Sequence, residues 1–88
     1  MLGYKIKLSN QAERVLRRMA EREPALYERL RRALDDLEGD PLQGKPLKGE
    51  LKGKHSYRAG DYRIIYRILR RELVVLIIDI GHRRGIYR

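Results

Sequence analysis

Between Lys54 and Arg88 the chain gathers the side chains best suited to handling phosphate: Lys54, Arg58, Arg63, His82, Arg83, Arg84 and Arg88, with Tyr87 beside the last of them. Arginine meets phosphate oxygens with paired N–H donors in a fixed fork. Histidine, lysine and tyrosine can move protons where position and pKa suit. One reaction draws on all of these, the attack of an RNA 2′-hydroxyl on its own neighbouring phosphate. It needs a group to take the hydroxyl proton and a group to protonate the departing 5′ oxygen. It also needs cations for the pentavalent phosphorane. A tyrosine of ordinary pKa, near ~10, is a poor base at neutral pH unless nearby cations lower it.

The composition narrows the classes. A chain of 88 residues is expected to be one domain, residues 1–88, with a single small core that is marginal without good packing. The lack of cysteine rules out a disulfide framework and a thiolate metal site, and it fits a reducing, cytoplasmic setting. Two histidines and scattered carboxylates give no convincing metal site. No glycine loop of the phosphate-cradling kind is present, so no cofactor is expected. The longest apolar run, Leu73 to Ile78, is strand-sized, and the N-terminus has no basic segment followed by an apolar one. No membrane partner is expected. The net charge is +9, and it is unevenly placed. Residues 1–44 carry 9 Lys/Arg against 8 Asp/Glu, whereas residues 45–88 carry 12 against 4. The second half therefore carries a field that draws in a polyanion.

The elements that must position these side chains follow from periodicity. Tyr4-Lys5-Ile6-Lys7-Leu8 alternates and predicts a strand with Tyr4, Ile6 and Leu8 on one face. Asn10 and Glu13 have capping-box spacing, and Ala12, Val15, Leu16 and Met19 predict a helix to about Ala20. Pro24 suits the first turn of a second helix, striped by Leu26, Leu30, Ala33, Leu34 and Leu37 and stopped by Gly39. Residues 40–53 read as a turn and then extended surface chain, leaning on the core through Leu42, Leu47 and Leu51. Strands follow at about Lys54–Arg58, Tyr62–Leu69 and Leu73–Ile80, with Ala59-Gly60-Asp61 and Arg70-Arg71-Glu72 as hairpin loops. The last strand is apolar on both faces, which suggests a central strand covered on both sides or nearly so. The fold class is α+β: an N-terminal strand, a helical hairpin, and a three-stranded antiparallel meander in one small twisted sheet.

Hairpin register brings the chemistry together. Loops centred on Gly60 and Arg71 set Tyr57 and Asp79 opposite Arg63, all on one face, with Tyr62 opposite Ile80. A slip of one residue moves side chains to the other face. In either register His82, Arg83 and Arg84 emerge near Arg58, Gly60 and Arg63.

At these residues the sequence resembles the RelE/ParE superfamily of toxin–antitoxin toxins, and its RelE branch in particular. The resemblance spans the chain in element order. Its specific part is Tyr57-Arg58-x-Gly60-Asp61-Tyr62-Arg63-Ile64-Ile65-Tyr66 followed by Ile80-Gly81-His82-Arg83-Arg84-x-x-Tyr87. It implies a RelE-like toxin that cuts messenger RNA in the ribosomal A site, inhibiting translation. It also implies a RelB-like antitoxin, rRNA contacts on a 70S-type ribosome, and operator DNA reached only through the antitoxin complex. In the same terms, Arg63 and Arg83 match arginines that hold the scissile phosphate. Tyr87 matches the C-terminal tyrosine that activates the 2′-hydroxyl or stacks on a base, and Lys54 matches one of two strand lysines. Ser56 stands where the second lysine is expected, and the stretch between Arg83 and Tyr87 is shorter than in the best-known member. His82 is a candidate substitute for acid or base. Lys45, Lys48, Lys52, Arg58, Arg84 and Arg88 are candidates for RNA or ribosome contact.

Plainer roles stand beside these. Arg63 could pair with Asp79 across the hairpin, Tyr62 and Tyr66 could be strand packing, and the lysine run could be a solvated loop. His55 has no evident role, and Arg17, Arg18, Arg31 and Arg32 read as helix surface. Two other functions compete with cleavage: a ParE-type toxin that poisons DNA gyrase without cutting RNA, and a non-catalytic basic nucleic-acid-binding module.

Overall fold

The computed structural model describes residues 3–82. Its elements are β1 (Lys5–Leu8), α1 (Asn10–Arg22), α2 (Pro24–Gly39), β2 (Lys45–Pro46), β3 (His55–Ala59), β4 (Tyr62–Leu69) and β5 (Val74–His82). Short 3-10 turns lie at Pro41–Gln43 and Gly49–Leu51. The strands form one sheet in the order β1-β5-β4-β3-β2. β1 lies parallel to β5, and every other pair is antiparallel. The meander is the β3-β4-β5 part of this sheet, and the helical hairpin covers one face.

Local chemistry sets the ends of the helices. The cap of α1 is Ser9, one residue before the expected Asn10. Its Oγ accepts from the Ala12 N–H at 3.0 Å and donates to the Ile78 carbonyl at 2.7 Å, so one hydroxyl both starts the helix and ties it to β5. The helix continues one turn-fraction beyond Ala20, to Arg22. Pro24 opens α2 and Gly39 is its last residue. Leu16, Leu30 and Leu37 of the helices meet Ile64, Tyr66, Val75 and Ile77 of the sheet in the core, and Tyr4, Ile6 and Leu8 pack against it as their alternation predicts. β5 is an interior strand between β1 and β4, with β4 at the centre of the sheet, and its far face is only half-buried at Val74, Leu76 and Ile78 because both helices lie on the other side.

The segment after α2 differs from the expectation of loose surface chain. Lys45-Pro46 pairs with β3 and adds a fifth strand. Pro41 is the buried anchor, while Leu42 is 63% exposed. The cause is Tyr66, whose fully buried ring carries a hydroxyl that donates to the Pro41 carbonyl at 2.6 Å and accepts from the Gly44 N–H at 3.0 Å. A side chain at Gly44 would run into that hydroxyl and come within 2.9 Å of the Ser56 carbonyl oxygen.

Both hairpin registers differ from the sequence arithmetic. The β3–β4 loop has two residues, Gly60 and Asp61, with Ala59 opposite Tyr62. Gly60 alone takes a left-handed φ, 63°, which is the type II′ pattern that matches strand twist. The shorter loop slips the pairing by one, so Arg58 opposes Arg63 and Tyr57 opposes Ile64. The β4–β5 loop is longer by one, running from Arg70 to a left-handed Leu73 at φ 55°. A bulge at Ile65/Tyr66 then adds Ile78 to β5. Arg63 therefore opposes Gly81 and Tyr62 opposes His82, in place of Asp79 and Ile80.

Candidate functional site

Opposed residues in a sheet point to the same side. Ile64, Tyr66, Val75 and Ile77 face the helices, so their alternates face away. On that open side the row nearest the β3–β4 turn is Arg58, Arg63 and Gly81. The next row is Lys45, Ser56, Ile65 and Asp79. Farther along lie Arg67, Leu76 and Lys7, then Lys5 with Val74 and Leu69. Lys5, Lys7, Lys45, Arg58 and Arg67 are exposed and Arg63 is half-buried, whereas Ser56 and Ile65 between them are buried, so the side faces solvent only in part.

The electrostatics of this face are one-sided. Asp79 is the sole carboxylate in the five described strands. It accepts from the Gln11 side-chain amide at 3.1 Å and from the Ile80 N–H at 2.8 Å, and forms no ion pair with Arg63. The plainer role for Arg63, a cross-hairpin pair with Asp79, is absent. Arg58 and Arg63 stand directly opposite each other, which brings two guanidinium groups to one row of the sheet. Gly81 completes the row without a side chain. The arrangement suits binding a phosphate edge-on between two guanidinium forks.

The other candidates are distributed as follows. Tyr57 is on the helix side, with its hydroxyl donating to Asp36 at 3.3 Å and to Gln43 at 3.4 Å. Burial first, and then the Asp36 carboxylate, push its pKa above the usual tyrosine value. His82 emerges beside Arg63 in the chain path, but its ring lies edge-on to Tyr62, centroids 5.6 Å apart at 77°, on the face away from Arg63. Lys54 precedes β3 at the end far from Arg58, about 13 Å away at the usual strand rise. Lys45 is on the open face through its pairing with Ser56, while Lys48 and Lys52 are exposed on the loop between β2 and β3. Arg83, Arg84, Tyr87 and Arg88 lie outside the described residues. Among the described residues no three His, Cys, Asp or Glu side chains come together.

Three features escaped the sequence reading. Lys7 and Arg67 belong to the open face, and strict alternation from Ile6 and Tyr66 would have found them. Ser56 is 4% exposed and its Oγ has no hydrogen-bond partner among the described residues. His55, given no role, stacks on Tyr66 at 5.3 Å with Nδ1 buried and unpartnered. Burial, and then the positive charge of Arg70, hold its pKa below the usual histidine value.

Comparison with known proteins places this geometry. Residues 6–87 match the family described as ParE toxin of type II toxin-antitoxin system, parDE. The chain is 38% identical over 88 residues to toxin RelG of Mycobacterium tuberculosis, covering 99% of both. Its fold is similar to a chain of the M. tuberculosis RelBE2 toxin–antitoxin complex, with TM-score 0.80, 34% identity, and 93% of this chain and 100% of that chain covered. It is also similar to a chain of the archaeal RelE–RelB complex of Pyrococcus horikoshii, with TM-score 0.75, 27% identity, and 93% and 97% coverage.

Proposed function

The chain belongs to the ParE toxin family of type II toxin–antitoxin systems, within the RelE/ParE superfamily, and from that premise we propose that it is a ribosome-dependent endoribonuclease that cuts messenger RNA in the A site. The observation that carries this reading is the Arg58–Arg63–Gly81 row on a cationic sheet face. A toxin that acts only by protein contact has no need of two directly opposed arginines on a cationic sheet face.

In this reading the whole chain acts as one toxin domain. The 2′-oxygen bonds to the adjacent phosphorus while the bond to the 5′ oxygen breaks. The 2′-hydroxyl proton goes to a base and the 5′ oxygen receives one from an acid, leaving a 2′,3′-cyclic phosphate. Arg63 and Arg83 hold the non-bridging oxygens and offset charge on the phosphorane. Tyr87 activates the 2′-hydroxyl or stacks on a base. Lys54 and His82 are the remaining proton-transfer candidates: the His82 ring lies on the face away from Arg63, and Lys54 lies at the far end of β3 from Arg58. Lys45, Lys48, Lys52, Arg58, Arg84 and Arg88 hold the RNA backbone or rRNA. The partner is a RelB-like antitoxin, as in the RelBE2 and RelE–RelB complexes, and operator DNA is reached through that complex alone. The setting is cytoplasmic, and no described helix is long and apolar enough to cross a membrane.

A second reading follows from the family's own description, which names ParE. It makes the chain a gyrase poison that shares the fold and does not use the arginine row. One experiment separates the two. The protein is added to translating ribosomes and the ends of the messenger are mapped, with DNA supercoiling assayed in parallel. Codon-phased cuts support the nuclease. Intact messenger with stalled supercoiling supports the gyrase poison instead.

A further inference from the structure

We propose that Arg29, on the helix layer, is an additional phosphate ligand for single-stranded RNA, acting with Arg58 across the Gly60–Asp61 turn. The inference rests on the RNA-cleaving reading above and extends the binding surface beyond the sheet. Arg29 is exposed on α2, and its guanidinium lies against the turn: Nη1 is 2.9 Å and Cδ 3.5 Å from where a Cβ on Gly60 would sit. The bare Cα of Gly60 is what lets it approach so closely. On the other side of the same turn, the Arg58 Nε donates to the Gly60 carbonyl at 3.1 Å. Standard bond lengths along this chain of contacts put the two guanidinium groups within about 10 Å of each other.

Three arginines from three elements thus meet at one end of the molecule: Arg29 from α2, Arg58 from β3 and Arg63 from β4. Among the described residues neither Arg29 nor Arg58 has a carboxylate partner; the ion pair there is Arg17 with Glu13. Like charges gathered in this way are offset when successive anionic groups run past them. Two features favour RNA over an acidic peptide. The cations sit on both sides of the turn, so a strand leaving the open face crosses the sheet end and meets Arg29 next. The rings of Tyr62 and His82 lie at the same end, where bases can stack.

The test uses the full-length protein and a mixed-sequence single-stranded RNA with 2′-O-methyl sugars, which cannot be cleaved. Affinity is measured across a range of salt concentrations. Arg29→Gln is expected to weaken binding several-fold at low salt and to make the slope of log K against log salt shallower by about 0.7. Arg29→Lys, which keeps a point charge, is expected to retain the slope. An unchanged slope for Arg29→Gln overturns the proposal. So does a lower thermal midpoint with that slope intact, which would make Arg29 a packing residue over the turn. Equal binding of a poly-glutamate peptide would also overturn it, by making the patch a general polyanion site. Wild-type cleavage of messenger on ribosomes is followed in the same preparations. If it persists while the Arg29 variants behave as wild type, only this inference fails; if it is absent, the reading beneath it fails as well.

Discussion

One side of the sheet presents Ile64, Tyr66, Val75 and Ile77 to two helices and buries them completely, while the other presents Lys5, Lys7, Lys45, Arg58 and Arg67 to solvent. The covered side gains from burial, at roughly 25 cal/mol for each Å² of apolar surface removed from water. The other side sets Arg58 directly opposite Arg63, while Asp79 accepts from the Gln11 amide and the Ile80 N–H. Separating the two sides lets each be changed with little effect on the other, and that separation can be tested.

The largest expected effect falls on the covered side. Tyr66→Ala removes a fully buried ring and the hydroxyl that holds Pro41 and Gly44. It is expected to cost about 3–5 kcal/mol, a large share of the stability of a domain this size, read as a lower midpoint in urea unfolding. RNA binding by whatever fraction stays folded should be little altered.

A test of the open side comes next in size. If four phosphates are held, affinity for single-stranded RNA should fall on the order of 50-fold between 50 and 200 mM salt, because each contact releases counterions. The unfolding midpoint should hardly move over that range, and a flat binding curve would remove the open face as the docking surface. Ser9→Ala is smaller again, at about 1 kcal/mol, since it takes away the α1 cap and a bond to the Ile78 carbonyl. Amide exchange at the start of α1 should quicken in that variant while RNA affinity stays put.

The smallest effect is the pH response of His55. Its folded-state pKa is lowered, so the unfolded chain takes up the proton first as pH falls. Stability is full above the ordinary histidine value of 6.5 and is lost as pH drops through the lower folded value. Unfolding followed from pH 7.5 downward should show this loss, and His55→Phe should flatten it in the range before the carboxylates titrate.

The covered side was legible because it repeats. Alternation at Tyr4, Ile6 and Leu8, and the leucine stripe from Leu26 to Leu37, each specify a face without reference to the rest of the chain. Register was not legible in the same way. Whether Gly60 sits within a two-residue or a three-residue loop depends on strand twist and on the pairing of Ala59 with Tyr62, and this one residue decides that Arg58, not Tyr57, stands by Arg63. The bulge at Ile78 is equally hidden, because its carbonyl is fixed by Ser9, which lies 69 residues away in sequence. Nothing local marks Arg29, because its rest on Gly60 is set by the packing of α2 against the turn. Periodicity reports burial, whereas the sites where different elements meet are set by tertiary packing.

The most direct test of the division between the faces is single-turnover cleavage of A-site messenger on programmed ribosomes by Arg63→Ala, beside the wild type, with unfolding of both proteins measured in parallel. The expected result is a rate at least about 100-fold lower, the usual scale for losing a group that offsets transition-state charge. Stability should fall by no more than about 1 kcal/mol, the centre of the range for single substitutions. A variant that cuts at the wild-type rate, or that loses activity only because it unfolds, would contradict the assignment of the open face as the catalytic one.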